Sequence, residues 1–346
     1  MPRRRASRHP PYPASSNRRA PHIPAATQAR IFKAARRLRY APHAIARSLS
    51  TGRRQTVGTV LPLVNQTWVA VLRELGQGLA ERGFQLEIID NTRAPDGGDA
   101  AIRTLVAQRT DAIILFGGQP SEAAAIDELV RTHAAGLPVL TVGHQRGRGL
   151  PFVAYDHEQI GALATEHLLA QGCTRVGWVA GPEYEAKQRH AAMTLRHAGY
   201  VRALRQAGVA VDPDLDASIE TGSEADLETS VTALLARGRP DGIVGAGHEL
   251  AVRTLRLAQE SGLRVPRDLA MVGVGYSPLS ELVYPRLSSV GVPPAAFAQR
   301  VLPVLDVLLA DAHAWDGRGL TLVPELIVRE SSVRGSQAAL RLADGP

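Results

Sequence analysis

The chain has one cysteine, Cys173, in 346 residues. No disulfide framework can form within it, and no thiolate cluster can hold a metal. A lone Cys173 reads as a small buried hydrophobe. Aromatics make up only 4%, so the 45% hydrophobic content rests on aliphatic residues, a composition that favours helices packed on buried strands. No window reaches the about 18 apolar residues of a membrane span. The N-terminus also lacks the apolar stretch of a secretory signal, because Arg3, Arg4 and Arg5 are followed by prolines, histidines and serines. A cytoplasmic protein with no membrane partner is expected.

Acidic residues are missing from the start of the chain; the first is Glu74. Residues 1–54 hold 14 Lys and Arg with no Asp or Glu. The remainder therefore has 26 basic residues (40 − 14) against 33 acidic ones, a net of −7 beneath an overall +7. A basic arm on an acidic body suits a polyanion such as DNA. Such binding releases counterions and weakens steeply with salt.

Signatures of catalysis are also missing. The sequence contains no His-Glu-x-x-His, no Walker loop and no Gly-x-Ser-x-Gly. The Gly273 and Gly275 pair lacks the third glycine of a dinucleotide fingerprint. The histidines His144, His157, His167, His190, His197 and His248 show no metal-ligand spacing. Neither an enzyme nor a cofactor or metal is expected.

What is present is a rhythm. Residues 1–22 (MPRRRASRHPPYPASSNRRAPH) have no apolar period and read as a disordered basic tail. From Pro24, the residues Ala26, Ile31, Ala34, Ala35 and Leu38 recur at helical spacing, with Arg30, Lys33, Arg36 and Arg37 between them. Pro42 stops that helix, and a second short helix fits 43–49. Beyond Gln55, apolar runs at 57–63, 84–90, 112–116, 139–142, 175–180, 242–246 and 270–274 alternate with helical stretches at 70–82, 98–108, 159–171, 194–207, 225–237, 250–261 and 295–309. Continuous apolar strands alternating with helices predict an α/β fold of parallel sheets covered on both faces. The number of units exceeds one open sheet, so two doubly wound lobes are expected, with ligand at the carboxyl ends of the strands.

Several runs resemble one family. Residues 42–52 (PHAIARSLSTG) are similar to the hinge helix of the lactose-repressor family, and 56–62 (TVGTVLP) to its first core strand. Further matches follow in the family's order at 164–169 (ATEHLL), 175–182 (RVGWVAGP), 196–199 (RHAG), 265–268 (VPRD), 272–273 (VG), 285–290 (PRLSSV) and 328–331 (VRES). The resemblance implies a ligand-responsive transcription regulator, most simply a repressor. It would have a helical DNA-binding headpiece, a hinge helix and a periplasmic-binding-protein-like sensor that forms a homodimer. The boundaries implied are a tail at 1–22, headpiece and hinge at 23–55, an N-lobe from 56–153 with 294–322, a C-lobe from 154–293 with 323–333, and a tail at 334–346.

Site residues follow from the same resemblance. In such dimers paired hinge helices enter the minor groove and wedge a leucine between bases. That residue is Leu49 here, with Ala46 beside it and Arg47, Arg53 and Arg54 on phosphates. Effector contacts are expected from Asn65, Trp68, Asp156, Arg196, His248 and Tyr276. Trp68 suits stacking on a ring, or else core packing. The Arg196 fork suits a carboxylate or diol. Asp156 suits a ligand or hinge hydrogen bond, and equally a helix N-cap. Family carboxylates are replaced by Gly247-His248, Gly275-Tyr276 and Gly143-His144. The pocket is similar in this respect to gluconate-type repressors, and an anionic, sugar-acid effector is expected.

The headpiece departs from the family. Pro10, Pro11, Pro13 and Pro21 break the two helices that would read bases, so only the third headpiece helix is legible. Either the recorded start is misread, or the protein lacks base-reading helices and binds its operator poorly. In the latter case it would act as a sensor without operator-specific binding.

Overall fold

The computed structural model describes residues 53–334 apart from 62, 64–65, 93–97, 117–122, 144–148, 182–190, 220–222 and 316–318. Before residue 53 it describes only Pro24, Ala26, Thr27, Arg30, Lys33, Ala34 and Arg37. The last six are helical and exposed, on the helix expected from Pro24 onward. The tail at 1–22, the hinge helix with Ala46, Arg47 and Leu49, and residues 335–346 lie outside the described residues.

Two six-stranded sheets organise the chain. The first contains β1 (Thr56–Leu61), β2 (Gln85–Asp90), β3 (Ala112–Phe116), β4 (Val139–Gly143), β5 (Phe152–Tyr155) and β11 (Leu320–Leu322). Their order is β11-β5-β4-β3-β1-β2, and every pairing is parallel. The second contains β6 (Val176–Ala180), β7 (Asp216–Ser218), β8 (Gly242–Gly245), β9 (Ala270–Val274), β10 (Ser288–Gly291) and β12 (Glu325–Ile327). Its order is β12-β10-β9-β8-β6-β7, with only β12 antiparallel.

The helices are α1 (Gln66–Glu81), α2 (Asp99–Ala107), α3 (Ala123–Ala134), α4 (His157–Ala170), α5 (Ala191–Gln206), α6 (Glu224–Ala233), α7 (His248–Glu260), α8 (Leu279–Leu282) and α9 (Pro294–Ala310). Each sheet carries apolar clusters on both faces. In the first lobe Val57, Leu75, Phe297 and Leu305 pack on one face, and Val60, Leu105, Ile113 and Leu129 on the other. That double cover explains why every residue of β1, β3, β4 and β9 is buried. Edge strand β2 is open on one side and instead mixes half-buried and exposed positions.

The chain passes between sheets at three places: from β5 into α4, from β10 into α9, and from β11 to β12. The first passage is at Asp156. Its backbone N–H donates to Leu322 O of the first sheet, while α4 packs into the core of the second.

Helices α4 and α5 cross unusually closely, and glycine permits it. A Cβ on Gly161 would lie 1.8 Å from the Arg196 carbonyl oxygen, and one on Gly199 would lie 1.9 Å from that of Glu158. Only residues without a side chain allow backbone to meet backbone this way. The crossing sets the main chain of Arg196 directly on α4.

Candidate functional site

The strand ends of both sheets converge beside the Asp156 passage, and most of the expected effector residues lie there. Arg196 projects from α5 and is 9% exposed. Its Nε donates to His157 Nδ1 at 3.3 Å, and its Nη1 donates to Ala246 O at 2.7 Å, at the end of β8. His157, 4% exposed, bonds through Nε2 to Gly143 O at 2.9 Å, at the end of β4 in the other lobe.

His248 opens α7, just beyond that Ala246 carbonyl, and is buried. Its Nε2 lies 2.7 Å from Ser280 Oγ, which is 3.2 Å from Ser289 Oγ. Arg329 Nη1 donates to Ser289 Oγ at 3.0 Å. Burial above all, with the Arg329 charge second, pulls the His248 pKa from 6.5 to about 4, so the ring is neutral near pH 7. Its Nδ1 is buried with no hydrogen-bond partner.

Tyr276 follows Gly275 after β9 and is also buried. Its hydroxyl has no partner. Burial, aided by Glu325, raises its pKa to about 12 and keeps the phenol protonated. Tyr155, at the end of β5, has a second unpartnered hydroxyl, with its pKa also raised by burial. Leaving such groups unpaired in the interior costs about 1–3 kcal/mol each. The lobes themselves touch here, since a Cβ on Gly275 would lie 2.8 Å from Thr67 Oγ1, on α1.

The other expected residues fall as follows. Trp68 is half-buried against Phe116, Tyr155 and Phe297, with ring centroids 4.9, 5.6 and 6.1 Å away. It is therefore held by aromatic packing on the first lobe. Asp156 caps α4, its Oδ1 accepting from Gln159 N at 2.9 Å. Asn65 and His144 lie outside the described residues. Arg53 Nη2 donates to Leu309 O at 2.9 Å and Arg54 Nη1 to Gln108 O at 2.7 Å. Both carbonyls end helices, α9 and α2, where cations are favoured.

The residue reading missed His157, Ser280, Ser289 and Arg329 as parts of this site. Ser289 and Arg329 sit inside motifs quoted as fold markers, and nothing in their spacing places them behind His248. Among the described residues no group of three or more His, Cys, Asp or Glu could hold a metal. No helix among them is long and apolar enough to cross a membrane.

Comparison with known proteins agrees with this geometry. The family described as periplasmic binding protein-like domain matches residues 165–332. The HTH-type transcriptional regulator GntR of Pseudomonas aeruginosa is 29% identical over 307 residues, covering 88% of this chain and 86% of that protein. A solved structure from Sanguibacter keddieii, described as a LacI-family transcriptional regulator, is 27% identical with a TM-score of 0.69, covering 81% of this chain and 99% of that one. The transcriptional regulator CelR, solved with cellobiose, is 25% identical with a TM-score of 0.67, covering 90% of this chain and 92% of that one.

Two doubly wound lobes with polar groups gathered between their strand ends define a periplasmic-binding-protein-like sensor. The relatives matched here are transcription regulators, one of them described as of the LacI family, and a sensor without operator-specific DNA binding is not favoured.

Proposed function

We propose that this regulator responds to a small, carbohydrate-like and acidic effector held between its lobes, and that it acts in the cytoplasm without catalytic activity, metal or cofactor. One observation carries the reading. Among the described residues, the buried polar groups at the lobe junction include the Arg196 cation and neutral groups with unmet bonding capacity at His248 and Tyr276. A cation with polar partners suits an oxygen-rich anion better than a neutral sugar. Trp68 and Asp156 flank the same junction, and Asn65 would complete it. The cellobiose complex of CelR is a precedent for a carbohydrate ligand on a similar chain.

Titration calorimetry with gluconate, glucose and sorbitol tests this. Binding of gluconate with little response to the neutral pair is expected. Micromolar binding of glucose without gluconate binding would sink the acidic class.

The lobe divisions implied by the resemblance are retained, with the DNA-binding part before residue 56. In this reading Arg47, Arg53 and Arg54 neutralise phosphates, and Leu49 with Ala46 enters the minor groove. Arg53 and Arg54 would then exchange or share their helix-end carbonyls with DNA. With about six phosphates neutralised, affinity falls roughly 10³-fold between 50 and 200 mM salt. Fluorescence anisotropy on an operator duplex reads that slope; a flat profile would remove the basic arm from the mechanism.

The homodimer places two hinge helices side by side. An exposed apolar patch on the second lobe supports it: Leu279 is 37%, Leu282 77% and Tyr284 87% exposed.

A further inference from the structure

Two contacts of His157 bear on its protonation, and neither rests on a titration argument. A backbone carbonyl only accepts, so the 2.9 Å contact to Gly143 O requires a hydrogen on Nε2. A guanidinium only donates, so the 3.3 Å contact from Arg196 Nε requires a bare Nδ1. These two contacts fit a neutral His157 with its hydrogen on Nε2. It faces the first lobe with its donor and the second with its acceptor, one residue past the Asp156 passage.

Arg196 Nε donates to His157 and its Nη1 to Ala246 O. Two directed bonds orient the planar fork. The glycine crossing of α4 and α5 holds the Arg196 backbone against α4, leaving the side chain little freedom to compensate.

We propose that His157 is the positioning residue for the effector clamp: it sets the plane of Arg196 and ties that plane to β4 of the opposite lobe. A rotation between lobes about Asp156 then turns the fork, and effector affinity becomes coupled to lobe arrangement. This inference rests on the reading of Arg196 as an effector contact, but its geometry is testable without any effector.

The first measurement uses the full chain with ¹⁵N label. Long-range ¹H–¹⁵N histidine spectra, assigned by the signal that vanishes in His157→Gln, should show His157 as the Nε2–H tautomer near pH 7. An imidazolium or the Nδ1–H tautomer would overturn the proposal.

The second uses gluconate as probe on two variants, each checked for unchanged lobe folding by circular dichroism. Glutamine can donate to Gly143 O and accept from Arg196, so His157→Gln should bind within about threefold of the parent. Leucine can do neither, and His157→Leu should bind about tenfold more weakly or worse. A folded His157→Leu that binds like the parent would refute the positioning role. A parent that ignores gluconate while showing the expected tautomer would refute the acidic effector class and leave His157 standing on its spectrum.

Discussion

At the residue scale, the site is made of groups whose chemistry depends on what surrounds them. His248 is an ordinary histidine in sequence and a buried neutral one in the fold. Its folded pKa of about 4 lies below the ordinary 6.5, so the unfolded chain binds the extra proton between those values. The associated stability is complete above about pH 6.5 and is lost as pH falls towards 4. Burial lowers the pKa of His133 and His167 in the same direction. Urea unfolding across this window should show stability falling with pH, and His248→Gln should flatten the fall by on the order of 3 kcal/mol. An unchanged pH slope in that variant would show His248 to be solvated. Asp156 was legible either as a ligand contact or as a cap, and its carboxylate is occupied by Gln159 N. Asp156→Ala should cost about 1 kcal/mol through the cap alone, and a much larger loss would point to a further role at the lobe passage.

At the element scale, the long apolar strands were legible because burial on both faces leaves uninterrupted aliphatic runs. The short strands were not. β5, β7, β10, β11 and β12 have three or four residues each, too few for a period to stand out. α3 was missed as well, although it lies between the strands read at 112–116 and 139–142; its stretch opens on three alanines and has only Ile126, Leu129 and Val130 as larger apolar residues. The antiparallel β12 departs from the expected all-parallel arrangement: the chain leaves β11 of the first sheet and, two residues later, adds β12 to the edge of the second sheet against β10. The α4–α5 crossing carries the prediction at this scale. Gly161→Ala should destabilise by about 1–3 kcal/mol through overpacking, since its Cβ would meet the Arg196 carbonyl oxygen at 1.8 Å. It should also weaken effector binding. Thermal unfolding with calorimetry on the same sample separates the two effects, and an alanine variant as stable as the parent would mean the helices part without cost.

At the scale of the whole molecule, the proposed regulator needs two copies and two lobes that respond together. Leu282 and Tyr284 stand out from the second lobe at 77% and 87% exposure, on and just after α8, whose Ser280 backs His248. Charging this patch with Leu282→Asp and Tyr284→Asp should yield a monomer by sedimentation with unchanged far-ultraviolet dichroism. Operator affinity should fall with it. A variant that stays dimeric would move the interface elsewhere. Switching such a dimer from mostly bound to mostly free requires effector to favour one lobe arrangement by about 5.5 kcal/mol.

The sequence alone determined the α/β class, the pair of doubly wound lobes, the separation of a basic arm from an acidic body, and the position of Arg196 at the head of a family motif. These are properties of pattern and charge along a line, which need no contacts to be read. Only the tertiary structure decided what those residues do to one another. His157 and Arg196 are 39 positions apart, and Arg329 is 40 from Ser289. Hydrogen-bond direction, burial and tautomer are set by neighbours in space, and no spacing along the chain encodes which acceptor will stand opposite which donor.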